Sequence, residues 1–157
     1  MADEARESIH IEATPERCYA VAIDFDRYPE WATDVKQVEV LDRDGEGRGT
    51  RVRYQISALG KTIGYDLAYD YADAPGGFAW TLEKADFLSR LDGAYRFDPV
   101  SPADGPGGGG TSVGYVLAVD VTLPLPGFMK RAAAGMIVDN AMKQLKAYVE
   151  AGGGVER

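Results

Sequence analysis

The chain has 157 residues, 45% hydrophobic and 27% charged, enough for one globular domain with a single sizeable core. Its formal net charge of -8 argues against nucleic acid, whose phosphates select Lys/Arg-rich surfaces, and disfavours an anionic membrane for the same reason. The single cysteine, Cys18, excludes an internal disulfide framework, and no apolar run reaches the ~18–20 residues of a membrane span. With no basic and apolar leader at the start, a cytoplasmic protein without stable membrane insertion is expected.

Residues 1–6 are polar and read as a frayed terminus, as do residues 152–157 at the other end, which leaves 1–157 as one domain. The stretch Glu7–Trp31 reads as a short strand that turns through Ala13-Thr14-Pro15-Glu16 into a helix. Thr14 is placed as the N-cap and Pro15 as the first helical residue, while Arg17 stands where a capping box would carry Glu or Gln. Cys18 falls inside this helix as a buried structural thiol. An Asp-x-Asp-x-Tyr-Pro-x-Trp run, Asp24 to Trp31, then opens a second, shorter helix.

After Trp31 the apolar period becomes two. Val38 and Val40 precede the turn Asp44-Gly45-Glu46-Gly47. Thr50, Val52, Tyr54 and Ile56 alternate with Arg51, Arg53 and Gln55, and Leu59-Gly60-Lys61 signals a tight hairpin. Ile63, Tyr65, Leu67, Tyr69 and Tyr71 follow, then Phe78, Trp80 and Leu82, then Leu91, Gly93, Tyr95 and Phe97. Pro99–Gly110 is Pro/Gly-rich and reads as a flexible hairpin loop; it lacks the Lys-Ser/Thr of a phosphate loop. Val113 to Val121 is the last strand, stopped by Leu123-Pro124-Leu125-Pro126-Gly127. From Phe128 to Glu150 the spacing is helical, with Phe128, Ala132, Met136, Met142, Leu145 and Val149 expected on one apolar stripe.

Alternation over successive runs means an antiparallel sheet with one dry face. Seven strands at ~4.8 Å make a sheet ~30 Å wide, whereas a helix is ~10–12 Å across, so the last helix cannot cover it alone. The sheet must curl round that helix, and such curling leaves space between them. The side chains aimed there are Tyr54, Tyr65, Tyr69, Trp80, Tyr95, Phe97 and Tyr115. Five buried hydroxyls need partners, which suits the wall of a pocket better than a dry core. Trp31 and, from the helix, Met129, Met136 and Asn140 complete the candidate cavity lining. A core filled by these rings is the opposing reading.

Five segments carry a family resemblance: Ile9-His10-Ile11-Glu12-Ala13-Thr14-Pro15-Glu16; Asp24-x-Asp26-x-Tyr28-Pro29-Glu30-Trp31; Leu91-x-Gly93-x-Tyr95-x-Phe97; Gly110-Thr111-x-Val113; and Leu125-Pro126-Gly127-Phe128. In this order they resemble the START-like helix-grip superfamily, also called SRPBCC, and within it the polyketide cyclase/dehydrase and coenzyme Q-binding group. The resemblance spans the whole chain. It implies an α+β helix-grip fold, a curved seven-stranded antiparallel sheet wrapped around a long C-terminal helix, with two short helices after strand 1. It also implies an interior cavity for a hydrophobic or aromatic small molecule, polyketide- or lipid-like.

Fold does not decide chemistry. The resemblance leaves open a true aromatase/cyclase that promotes aldol closure and dehydration, or a quinone or lipid carrier. The Pro-Trp pairing typical of the quinone-binding group appears here with an inserted residue, as Pro29-Glu30-Trp31. Alternation turns Arg51, Arg53, Asp66, Asp70, Arg90 and Arg96 away from the ring-bearing face, and it places His10 on the surface. Only tyrosine hydroxyls, Thr50, indole N–H groups and Asn140 remain inward, and a tyrosine of pKa ~10 is a poor base. Binding is therefore expected ahead of catalysis, with no catalytic residue assigned, no cofactor and no metal site. A monomer and a homodimer are equally compatible with the sequence.

Overall fold

The computed structural model describes residues 3–58, 60–101 and 109–153. Leu59 of the expected hairpin, 102–108 of the Pro/Gly-rich loop and the tail after 153 lie outside the described residues. Strand β1 (Asp3–Ile11) leads into α1 (Pro15–Ala22) and a 3-10 helix (Phe25–Glu30). Strands β2 (Val35–Arg43), β3 (Gly49–Ala58), β4 (Lys61–Asp70), β5 (Gly77–Ala85), β6 (Leu88–Pro99) and β7 (Thr111–Val121) follow, and α2 (Gly127–Glu150) closes the chain. The seven strands form one antiparallel sheet in the order β1-β7-β6-β5-β4-β3-β2. The first two strands thus occupy opposite edges, and α1 with the 3-10 helix carries the chain between them. This is the helix-grip fold.

Local chemistry explains the elements. Thr14 Oγ1 accepts the Arg17 N–H at 3.2 Å, and Pro15 holds the first helical position of α1. The segment Phe25–Glu30 contains Pro29, which has no N–H to give. Its bonds tighten to i→i+3 pairs such as Trp31 N–H to Tyr28 O, 3.1 Å. The expected fraying of residues 1–6 is corrected from Asp3 onward: Asp3, Glu4 and Arg6 pair in register with Val119, Ala118 and Val116. An edge strand tolerates charged side chains because its ladder needs only backbone groups.

Inner and outer faces of the sheet separate by alternation. On the outer face Arg51 bonds Asp42 and Glu83 at 2.8 Å each, Arg90 pairs with Asp92 at 3.0 Å, and Arg96 with Asp98 at 3.4 Å. Strand β5 carries a bulge opposite Asp66 and Leu67, yet its two residues there, Glu83 and Lys84, meet outer-face partners. No arginine among these is turned inward by it.

Asp66 is only 2% exposed, and the Arg53 fork grips it at 2.9 and 3.0 Å. Those hydrogen bonds hold its carboxyl below the ordinary carboxylate range. A pKa depressed in the folded state adds stability above the unfolded value, near 4, and loses it as pH falls through the folded value. Arg53→Met leaves Asp66 with Lys84 alone at 3.8 Å and should lower the urea midpoint at pH 7, because a buried carboxylate loses its main donors. The gap between the two proteins should close below about pH 4; a constant gap would dissociate Asp66 from acid lability.

Helix α2 packs on β1, β7 and α1. Its C-terminal half is tied down by Lys146 Nζ to His10 O (2.6 Å), the Glu12 N–H to Glu150 (2.9 Å), Gln144 to Thr33 (2.8 Å) and Tyr148 to Glu30 (2.9 Å). The buried stripe of α2 is Ala134, Val138, Met142, Leu145 and Val149. The expected stripe is therefore corrected in its first half, because Phe128 is 66% and Met136 63% exposed. The sequence carries two apolar rows spaced by four, 128-132-136 and 134-138-142. They lie two residues, or about 200°, apart, so only one can face the sheet.

Candidate functional site

Between α2 and the inner face lies a cavity of about 470 Å³. It exists because α2 leans on β1 and β7 and leaves the middle of the sheet uncovered. The rings of Tyr54, Tyr65, Tyr69, Trp80, Tyr95 and Tyr115 form its sheet wall, and Trp31 forms part of its end. Met136 and Asn140 line it from α2, so nine of the expected residues border one space. Stacked and edge-on contacts hold the rings: Tyr95 to Tyr115 at 4.6 Å, Tyr54 to Tyr65 at 5.1 Å and Trp80 to Tyr115 at 5.5 Å.

Two expected lining residues are corrected. Phe97 lies two residues beyond Tyr95 along β6, beneath α1, where it packs against Tyr19, Phe78 and Tyr95 and fills core. Met129 is in the first turn of α2, 40% exposed and outside the cavity wall. Thr50 shares the inner face but does not reach the cavity either. Cys18 is fully buried, and that burial pushes its thiol pKa up, away from reactivity. His10 meets Glu12 at 2.8 Å away from the site.

Hydroxyl partners sort the tyrosines into two groups. Tyr28 donates to Ala22 O, and Tyr54 shares a 2.6 Å bond with Tyr69. The hydroxyls of Tyr65, Tyr95 and Tyr115 make no hydrogen bond to the described residues, although all three rings line the cavity. Desolvation raises the pKa of each, so they stand as neutral O–H donors. The Trp31 indole Nε1, by contrast, is itself buried, and it has no partner among the described residues. Buried polar atoms left this way are uncommon in native proteins.

Alternation did not reveal the mouth. Asp34, Ser57 and Gln144 border it together with Asn140, and Ala133, Ile137 and Ala141 line it from α2. Asp34 sits in the connection before β2, held by its carbonyl accepting the Ser57 N–H at 2.9 Å. A loop residue carries no periodic signal, and small residues on a helix look like ordinary packing. The chemistry of the lining is nonetheless simple. Among the described residues no His, Lys, Arg or Cys borders the cavity, and the single carboxylate on it is Asp34 at the rim. Nor does any cluster of His, Cys, Asp or Glu among them have the makings of a metal site.

A family model described as polyketide cyclase / dehydrase and lipid transport matches residues 2–150. The chain belongs to this family. Among solved structures it is similar to a START superfamily protein from Mycobacterium smegmatis, with 24% identity, TM-score 0.84 and coverage of 94% of this chain and 97% of that one. A protein of Thermus thermophilus matches with 25% identity, TM-score 0.76 and the same coverage, 94% and 97%. The Zhui aromatase/cyclase from Streptomyces sp. R1128 matches at 16% identity and TM-score 0.71 over 99% of this chain and 100% of that one, a likeness of fold. No curated protein matches the sequence. Among the described residues no helix is long and apolar enough to cross a membrane.

Proposed function

We propose that the protein binds a hydrophobic or aromatic small molecule, polyketide- or lipid-like, that carries carbonyl or phenolic oxygens. The observation that carries this reading is the combination of apolar walls with three tyrosine hydroxyls on one cavity, those of Tyr65, Tyr95 and Tyr115, that bond none of the described residues. Membership of the family supports it. The walls desolvate a flat or flexible apolar body, and the O–H donors fix its oxygens. A neutral donor set prefers a carbonyl to a cation. The scarcity of a base supports binding over turnover, since proton abstraction beside a carbonyl needs an acceptor within reach of the carbon. Asp34, at the rim, is the one carboxylate available to such chemistry, and an aromatase/cyclase reading would have to use it.

Native mass spectrometry of the purified protein should show a retained apolar guest, with mass loss on denaturation. Tyr95→Phe and Tyr115→Phe should each weaken an oxygenated ligand several-fold, because an acceptor loses its donor. The same changes should leave the empty protein about as stable as before, since each hydroxyl faces the cavity and bonds none of the described residues. Calorimetric titration together with thermal unfolding separates the two effects; loss of stability without loss of affinity would make these tyrosines core residues. Incubation with an unreduced poly-β-ketone tests turnover, and product rings absent without the protein would establish a cyclase.

A further inference from the structure

We infer, given that the cavity is the ligand site, that it sorts guests by charge and that Asp34 is the specificity-determining residue. The end of the guest held at the rim is neutral or cationic and donates a hydrogen bond; a carboxylate, sulfonate or phosphate there is disfavoured. Electrostatics on the lining are one-sided. Among the described residues no cation borders the cavity, so an anionic group drawn inside would be desolvated with no counter-charge. The charge that does border it is the Asp34 carboxylate.

Asp34 is fixed in place while its carboxylate is left free. The turn that carries it closes with the Val35 N–H to Ala32 O at 2.9 Å, and the Asp34 carbonyl accepts the Ser57 N–H from β3 at 2.9 Å. Beside it, the Gln144 amide of α2 donates to Thr33 Oγ1 at 2.8 Å and accepts the Thr33 N–H at 3.3 Å. Sheet and helix thus set its position from two sides. Elsewhere on the sheet aspartates are matched with arginine: Asp42 with Arg51, Asp66 with Arg53, Asp92 with Arg90. The Asp34 carboxylate has no hydrogen bond or ion pair among the described residues. Lys36, the closest cation in sequence, gives its ammonium to the Thr33 carbonyl at 3.2 Å and does not border the cavity. Burial first, and the Asp34 charge after it, raise the pKa of the Tyr65 hydroxyl, so that charge is felt inside. Donors therefore line the interior on Tyr65, Tyr95 and Tyr115, and a strong acceptor stands at the rim. A hydroxylated, polyketide-like body satisfies both ends; a free fatty acid or a phosphate-bearing lipid does not.

Two dyes with the same ring body test this selection: anilinonaphthalene sulfonate and N-phenylnaphthylamine, which lacks the sulfonate. Asp34→Asn should lower the ratio of their Kd values, anionic over neutral, about fivefold, the worth in water of one like charge a few ångströms away. Asp34→Lys should lower it further, Asp34→Glu should keep it near the parent value, and the shifts should shrink in about 1 M salt. Asp73→Asn removes the same charge from the turn between β4 and β5, outside the cavity lining, and should leave the ratio unchanged. In displacement of the neutral dye, dodecanol and dodecylamine should outrank dodecanoate. A ratio that does not move in Asp34→Asn, or that moves as much in Asp73→Asn, would overturn the charge selection while the cavity reading stands. If neither dye binds the parent protein, the cavity reading fails and the charge selection falls with it.

Discussion

Ala141→Trp should abolish ligand uptake while the fold stands. Ala141 borders the cavity from the well-anchored part of α2, one turn after Ile137. A large residue added to a full core forces neighbours off their rotamers and costs about 1–3 kcal/mol. Added to a hole, it gains apolar contact and should leave stability within about 1 kcal/mol of the parent. Its indole would occupy the space between Tyr54, Tyr65 and the helix that a guest needs. Binding of anilinonaphthalene sulfonate should fall at least about 100-fold, and any retained native guest should vanish from the mass spectrum. Undiminished binding would move the ligand site elsewhere; a collapse of the melting transition would mean that the cavity is smaller than about 470 Å³ in solution.

Gly93→Ala should be strongly destabilising for so small a substitution. Gly93 pairs with Trp80 across β5 and β6, and the indole lies over the glycine. An added Cβ would stand 2.5 Å from Trp80 Cζ2, 2.8 Å from Trp80 Cε2 and 2.7 Å from the Val116 carbonyl oxygen. The carbonyl belongs to the sheet and cannot retreat, so the tryptophan must. Overpacking of this kind costs about 3 kcal/mol, which for a chain of this length lowers the melting temperature by roughly 6–12 °C. Trp80 would be driven toward Tyr95 and Tyr115, narrowing the cavity as well. Calorimetry and tryptophan emission report both effects, and a melting point within about 2 °C of the parent would show that the close approach is illusory. The glycine in Leu91-x-Gly93-x-Tyr95 is therefore a space-making residue for the site wall.

Catalytic and binding readings divide at one residue. Asp34 is the single carboxylate on the cavity among the described residues, and it belongs to the rim rather than the deep wall of Trp80, Tyr95 and Tyr115. A guest held deep by the Tyr95 and Tyr115 hydroxyls keeps its reactive carbons away from Asp34, whereas the Tyr65 hydroxyl is near enough for the Asp34 charge to act on it. A chain long enough to extend from the deep donors to the rim would bring them together. Binding and cyclisation thus differ in the length of guest accommodated.

Much of this was written in the sequence because strands advertise their faces. Period-two alternation placed Tyr54, Tyr65, Tyr69, Trp80, Tyr95 and Tyr115 on one surface, and side-chain parity along a ladder leaves no freedom once register is set. The turn and cap signals at Thr14-Pro15 and the width of seven strands against one helix made an enclosed space a geometric consequence. What parity cannot do is say how far along a strand the covering helices reach. Phe97 has the same parity as Tyr95, yet α1 covers it. Tertiary structure alone chose which apolar row of α2 faces inward, because both rows satisfy helical periodicity and only packing against β1 and β7 distinguishes them. It also chose the rim, since Asp34, Ser57 and Gln144 come from three elements whose meeting depends on how strongly the sheet curls, a property of the whole sheet that no local pattern encodes.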